Sequence, residues 1–212
     1  MAVKALKHAL LTGFKPFGTP LPADNRSWET IKQLQNECIE TDSTTVVCHC
    51  HELPVNYGPV SEQVPKLHLA HPYSIVIHCG AGVSGVVRLE KQAHKSGYSL
   101  PGNGGPSDLP AGGHVPVAAD LPETLVTEID VDGLRDHLIK GGWDKTEVSL
   151  DPGRYLCDFT YYTSLAEART TYEKRGLVPP KTLFVHVPPN TEDPYTDREL
   201  AELVRQIIRF LA

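Results

Sequence analysis

The sequence predicts an α/β fold: a single-domain α/β/α sandwich whose largely parallel, twisted sheet is covered by helices on both faces. Three observations predict it. Apolar runs of strand length alternate with amphipathic runs of helical length through most of the 212 residues, the order that builds parallel sheets. Two runs, YSIVIHC (73–79) and KTLFVHV (181–187), read as buried strands. The chain is also long enough to bury one large core without disulfides or metal.

The elements follow in order. Residues 9–12 read as a short first strand entering the turn GFKPFG (13–18). Trp28, Ile31, Leu34 and Cys38 then recur at helical spacing. Residues 45–53 are β-branched and alternating, hence a strand, and 61–71 form a short helix. The strand 73–79 ends at glycines. Residues 131–140 predict a helix and 146–150 another strand, and the segment carrying Cys157 is the next helix. KTLFVHV is the last strand, stopped by Pro188-Pro189. The final helix opens on a capping box from Thr196 to Glu199 and carries Leu200, Leu203, Val204, Ile207, Ile208 and Leu211 on one stripe. Residues 96–122 break the rhythm, with six glycines and five prolines in 27 positions. They are expected to be an insertion, a lid or a mobile loop within one domain spanning 1–212.

Composition narrows the function classes. A formal net charge of −6 argues against nucleic acid or an anionic membrane as partner. Five cysteines, an odd number, show no paired framework of the kind small secreted domains use. MAVKALKHALLTGF lacks the apolar core of a signal peptide, and no stretch approaches the ~20 apolar residues of a membrane span. The expected setting is cytoplasmic, with no metal or other cofactor. The oligomeric state is left open.

In such sheets ligands bind beyond the carboxyl ends of the strands, which directs attention to the segments just after each strand. GAGVSG (80–85) fits the glycine pattern of dinucleotide sites. It follows the third strand rather than the first, and Val86-Val87-Arg88-Leu89 is a poor helix start, so a glycine loop facing a small ligand is the better reading. Cys48-His49-Cys50-His51 holds four metal-ligand types in a row, but strand geometry sends cysteines and histidines to opposite faces, against a tetrahedral site. His186 lies near the carboxyl end of its strand, where either a core histidine or a catalytic one fits. Glu90, beside Lys91, is by itself an ordinary solvated charge. Cys157 is the strongest single candidate. It follows a strand, the turn Asp151-Pro152-Gly153 and a helix start, where the dipole favours a thiolate. It is expected on a different face from an apolar stripe of Tyr155, Phe159, Tyr162 and Ala166. A buried structural cysteine is the competing reading. Cys157 and His186 fall on adjacent elements, so an imidazole that activates the thiol is within reach of the topology.

These residues carry a resemblance. TGFKPFG (12–18), NRSW (25–28), ELPVNYG (52–58), HCGAG (78–82) with LEKQAHKSGY (89–98), SLDPGRYLCDFTYYTSL (149–165) and FVHVPP (184–189) occur in an order similar to that of the pyroglutamyl-peptidase I family of cysteine peptidases. The resemblance runs from about residue 11 to about residue 208. It implies a catalytic triad of Cys157, His186 and Glu90, acting through a thioacyl-enzyme on N-terminally pyroglutamylated peptides. It further implies that Phe14 and Phe17 line the lactam, that Tyr155 and Leu156 complete the wall, and that the backbone of Gly80 and Ala81 approaches the ring. Without the family, Phe14 and Phe17 read as ordinary packing at a turn. Two departures stand out: the loop before Glu90 is one residue short, and Lys95 occupies a position usually held by Asn. Rival expectations are a non-cleaving pyroglutamyl-peptide-binding homologue, a nucleotide-binding oxidoreductase using 80–85, and an interaction module with no small-molecule site.

Overall fold

The computed structural model of the chain describes residues 4–18, 20–117, 120–189 and 193–212. The first three residues of the N-terminal stretch, and residues 118 and 119 of the segment 96–122, lie outside the described residues.

In chain order the elements are β1 (Ala5–Phe14), α1 (Arg26–Ile31), β2 (Cys38–Glu40), β3 (Thr44–Leu53), α2 (Tyr57–Ala70), β4 (Ile75–Ala81), β5 (Val87–Glu90), β6 (Gln92–His94), β7 (Thr124–Val126), α3 (Val131–Lys140), β8 (Thr146–Ser149), α4 (Leu156–Lys174), β9 (Lys181–Val187) and α5 (Asp197–Leu211). Seven strands form one sheet in the order β2-β3-β1-β4-β9-β5-β8. The central four, β3, β1, β4 and β9, are parallel. At one edge β2 is antiparallel to β3. At the other, β5 and β8 are parallel to each other but run against β9. A two-stranded ribbon of β6 and β7 lies apart from the main sheet.

Both faces of the central strands are apolar, so both must be covered. Odd-numbered residues such as Leu11, Ile77 and Val185 pack with Ile31 of α1, Leu134 of α3 and Leu203 of α5. On the opposite face, Phe14 and Phe184 pack with Tyr57 of α2 and Phe159 of α4. The capping box predicted for α5 is present, with the Thr196 side chain accepting from Glu199 N–H and the Glu199 carboxylate accepting from Thr196 N–H.

Three elements differ from expectation. The first strand extends to Ala5–Phe14 because its polar half pairs with β3, Ala5 against Thr44. Cys38 is not helical: α1 tightens into a 3-10 turn ending at Leu34, Asn36 turns the chain at φ 62°, and Cys38 opens the edge strand β2. No apolar stripe separates Cys157 from the rest of α4. Tyr155 is the residue before the helix, and α4 is buried on nearly every side, through Phe159, Tyr161, Tyr162 and Leu165. A helix packed all round has no polar face to mark its period.

The glycine pattern 80–85 leads into strand β5, not a helix, so there is no helix N-terminus there to receive a pyrophosphate. Residues 96–122 carry two short 3-10 turns and an isolated bridge between Ser96 and His114. They are tied to the body by tyrosine hydroxyls. Tyr57 donates to the carbonyl of Leu100 (3.0 Å), Tyr155 to that of Pro101 (3.3 Å) and Tyr162 to that of Pro122. Lys95 donates to the Leu121 carbonyl. No helix among the described residues is long and apolar enough to cross a membrane.

Candidate active site

Strand register places the acid and the base. Arg88 of β5 pairs with His186 of β9, and Glu90 pairs with Phe184. Residues directly opposite in an antiparallel pair share a face, and so do residues two apart on one strand. Glu90 and His186 therefore share the α4 face, with Glu90 one pleat deeper. Glu90 is fully buried and His186 nearly so. The Glu90 Oε1 to His186 Nδ1 distance is 2.8 Å. That bond orients the ring, and the Cys157 sulfur lies close enough to the imidazole to raise its proton affinity.

Cys157 reaches this point from above the sheet. The Asp151 carboxylate accepts from Gly153 N–H (3.1 Å) and from Arg154 Nη1 (2.7 Å), which shapes the turn that starts α4. Cys157 is the second residue of that helix. Its N–H belongs to the first turn, where no helical carbonyl can accept it. The thiol is partly exposed, unlike those of Cys48, Cys50 and Cys79. Burial pushes the Cys48 and Cys50 thiols up to about 12 and Cys79 higher still, which leaves these three inert.

Two glycines make the approach fit. A Cβ on Gly80 would stand 2.8 Å from Cys157 Sγ and 2.9 Å from Phe184 Cζ, and one on Gly82 would stand 2.8 Å from His186 Cβ. Phe184 floors the site, its ring centroid 4.8 Å from that of His186. Burial alone would hold the His186 imidazolium down. The neighbouring Cys157 sulfur and the Glu90 carboxylate outweigh burial, and the net shift is upward.

In front of these groups opens a cavity of about 280 Å³. Phe14, Phe17, Ala81, Tyr155 and Leu156 line it together with Cys157, His186 and Glu90. Gly80 is not in the wall; it lies behind Cys157 and Phe184. Phe14 is buried, while Phe17 is 38% exposed at the mouth, its ring centroid 6.1 Å from that of Tyr155. The wall is mostly apolar, as suits a compact uncharged ligand. No group of His, Cys, Asp and Glu among the described residues is arranged to hold a metal ion. Cys48 and Cys50 pack inside and His49 faces out to His8 (2.9 Å), as strand alternation predicts.

Sequence reasoning missed several members of the site. Asn25 lines the cavity. It also receives Ser27 N–H, and the Ser27 hydroxyl in turn accepts from Phe14 N–H (3.0 Å), pinning the backbone of that wall residue. Asp158, fully buried beside the nucleophile, accepts from His94 N–H (2.9 Å) and faces Arg154 at 3.4 Å. Burial outweighs these partners and pushes its carboxyl up to about 8. Arg88 also lines the cavity. For Asn25 and Asp158 the only signal available was their place inside the quoted motifs, and Arg88 lies just outside them.

The chain is similar to known proteins along nearly its whole length. The family model described as pyroglutamyl peptidase matches residues 7–200. Pyroglutamyl-peptidase 1 of Rattus norvegicus is 36% identical over 204 residues, covering 95% of this chain and 88% of the relative. That of Homo sapiens is 35% identical with the same coverage. Among solved structures, the pyrrolidone carboxyl peptidase of Fervidobacterium islandicum AW-1 superposes with a TM-score of 0.79 at 26% identity, over 97% of this chain and 98% of that one.

Proposed function

The chain belongs to the pyroglutamyl peptidase family, cysteine peptidases that remove an N-terminal pyroglutamyl residue from peptides, and on that premise we propose that Cys157, His186 and Glu90 carry out this hydrolysis. The observation that carries the assignment is the relay from the buried Glu90 carboxylate through His186 to a partly exposed thiol at a cavity wall.

In the reaction, His186 takes the thiol proton and Glu90 holds the resulting imidazolium. The Cys157 sulfur attacks the carbonyl carbon of the pyroglutamyl residue. The Cys157 N–H, unspent in the first helical turn, faces the developing oxyanion. The tetrahedral species collapses, the C–N bond breaks, and the leaving amine departs with the proton from His186. Water, deprotonated by His186, then attacks the thioester, releasing 5-oxoproline and restoring the thiol. The lactam has no charged amine, so it needs no carboxylate partner. Phe14, Phe17 and Tyr155 offer it aromatic faces, with Leu156 and the backbone at Ala81 completing the wall. We read the chain as one domain in which residues 96–122 are an insertion beside Tyr155, and its setting as cytoplasmic, since five free thiols suit a reducing compartment.

The test is release of a fluorogenic amine from a pyroglutamyl amide under reducing conditions. Wild type should turn over, Cys157→Ser should lose at least about a thousandfold in kcat, and an unblocked prolyl amide should not be cleaved. A folded, reduced wild-type protein without turnover would overturn the assignment.

A further inference from the structure

One charge in the cavity wall has no part in the reaction above. Arg88 lines the cavity with Cys157 and His186 and sits directly across from His186 in the β5–β9 ladder. Its Nε donates to Glu147 Oε1 at 2.7 Å; Glu147 faces it from β8 and does not line the cavity. The two side chains are 35% and 49% exposed. The other N–H groups of Arg88 have no partner among the described residues. The two carboxylates that share the cavity wall are already engaged. Asp151 is bound by Gly153 N–H and Arg154 within its own loop, and Glu90 is buried behind His186. The guanidinium is thus fixed at one edge and open at the other, the geometry that receives a carboxylate.

Its position decides which part of a substrate it meets. His186 must contact the leaving nitrogen to protonate it, so the residue after the pyroglutamyl group lies against His186 and beside Arg88. The lactam itself offers nothing to a cation. We propose that Arg88 is a specificity-determining residue that selects peptides carrying a carboxylate on the residue next to the pyroglutamyl group. This rests on the peptidase reading above.

The experiment compares kcat/KM for pyroglutamyl-alanine amide, pyroglutamyl-aspartate amide and pyroglutamyl-alanine with a free carboxylate. In wild type at low salt, at least one acidic substrate should exceed the neutral amide about three- to tenfold, the scale of a solvent-accessible ion pair, and added salt should shrink the excess. Arg88→Met should bring the ratio to about one, and Arg88→Glu should invert it in favour of pyroglutamyl-lysine amide. Whichever acid responds tells a side-chain carboxylate from a terminal one. An acidic-to-neutral ratio that is the same in wild type and Arg88→Met overturns the proposal. If wild type cleaves none of the peptides, the peptidase reading fails by itself. The same ratio is then read from calorimetric affinities in Cys157→Ala with and without Arg88→Met, where equal affinities overturn the Arg88 proposal too.

Discussion

Gly80 lacks a side chain in the space that Cys157 Sγ and Phe184 already occupy. Gly80→Ala would push the sulfur or the floor ring aside by several tenths of an ångström. Crowding of that kind costs about 1–3 kcal/mol of stability, while a misplaced nucleophile costs about a hundredfold in rate. The expected outcome is a folded variant with a modestly lower denaturant midpoint and kcat/KM reduced at least about a hundredfold; wild-type kinetics would show that the close approach is not needed. Legibility at this scale varied with how local the signal was. Cys157 stood out because a strand exit and a helix start are written in neighbouring residues, whereas His186 fitted a core histidine as well as a catalytic one. Glu90 read as a surface charge, because what makes it buried and paired is β9, almost a hundred positions away. Only the family resemblance singled it out. Asn25 and Asp158 were invisible for the same reason, since their partners come from the fold.

Arg26 shows how one side chain holds an element. It is buried, its Nε pairs with Asp197 Oδ1 at 2.8 Å, and its terminal nitrogens donate to the carbonyls of Pro188, Asp193 and Tyr195. Arg26 thereby fastens the chain just after β9 to the start of α5. Arg26→Met leaves Asp197, itself one-third exposed, and the carbonyls without their donor and should lower unfolding free energy by about 1–3 kcal/mol, the cost of leaving buried acceptors unsatisfied. Urea unfolding measures it, and a change below about 1 kcal/mol would contradict the clasp. The elements themselves were legible where their signals were local. Residues 131–140 and 181–187 match α3 and β9 end to end, and the capping box matched α5. Cys38 was misplaced because an edge strand is defined by its partner, and the stripe on α4 was misread because burial on every side erases periodicity.

At the scale of the whole molecule, two buried histidines outside the reaction contribute to the response to acid. His68 bonds Ser164 (2.7 Å) and His78 bonds Thr12 (2.7 Å), both in the interior. Burial lowers them to about 4 and about 3, against about 6.5 in an unfolded chain. Because the folded values are depressed, their contribution is complete above about pH 6.5 and is lost as pH falls towards 4 and 3. Each proton taken up on unfolding contributes up to about 1.4 kcal/mol per pH unit. His186 has the opposite sign: its raised value adds stability below about pH 6.5 and loses it at higher pH, so it does not cancel the acid slope. Asp158, raised to about 8, holds a proton in the folded chain across this window and offsets part of the slope, so the test is differential. Urea unfolding at pH 6, 5.5 and 5 should show His68→Gln with a slope about one proton smaller than that of wild type, and an unchanged slope would contradict it. The alternation of strands and helices made the layered sheet legible. The reversal of β5 and β8 was not, because strand direction within a sheet depends on connections through space. The segment 96–122 was legible only as an interruption. Its five prolines bring carbonyls but no N–H groups, so the segment is short of donors. The hydroxyls of Tyr57, Tyr155 and Tyr162 and the ammonium of Lys95 supply four from outside it. Where water would ordinarily solvate such a stretch, phenols do, and a proline-rich loop can lie against an apolar body without forfeiting its hydrogen bonds.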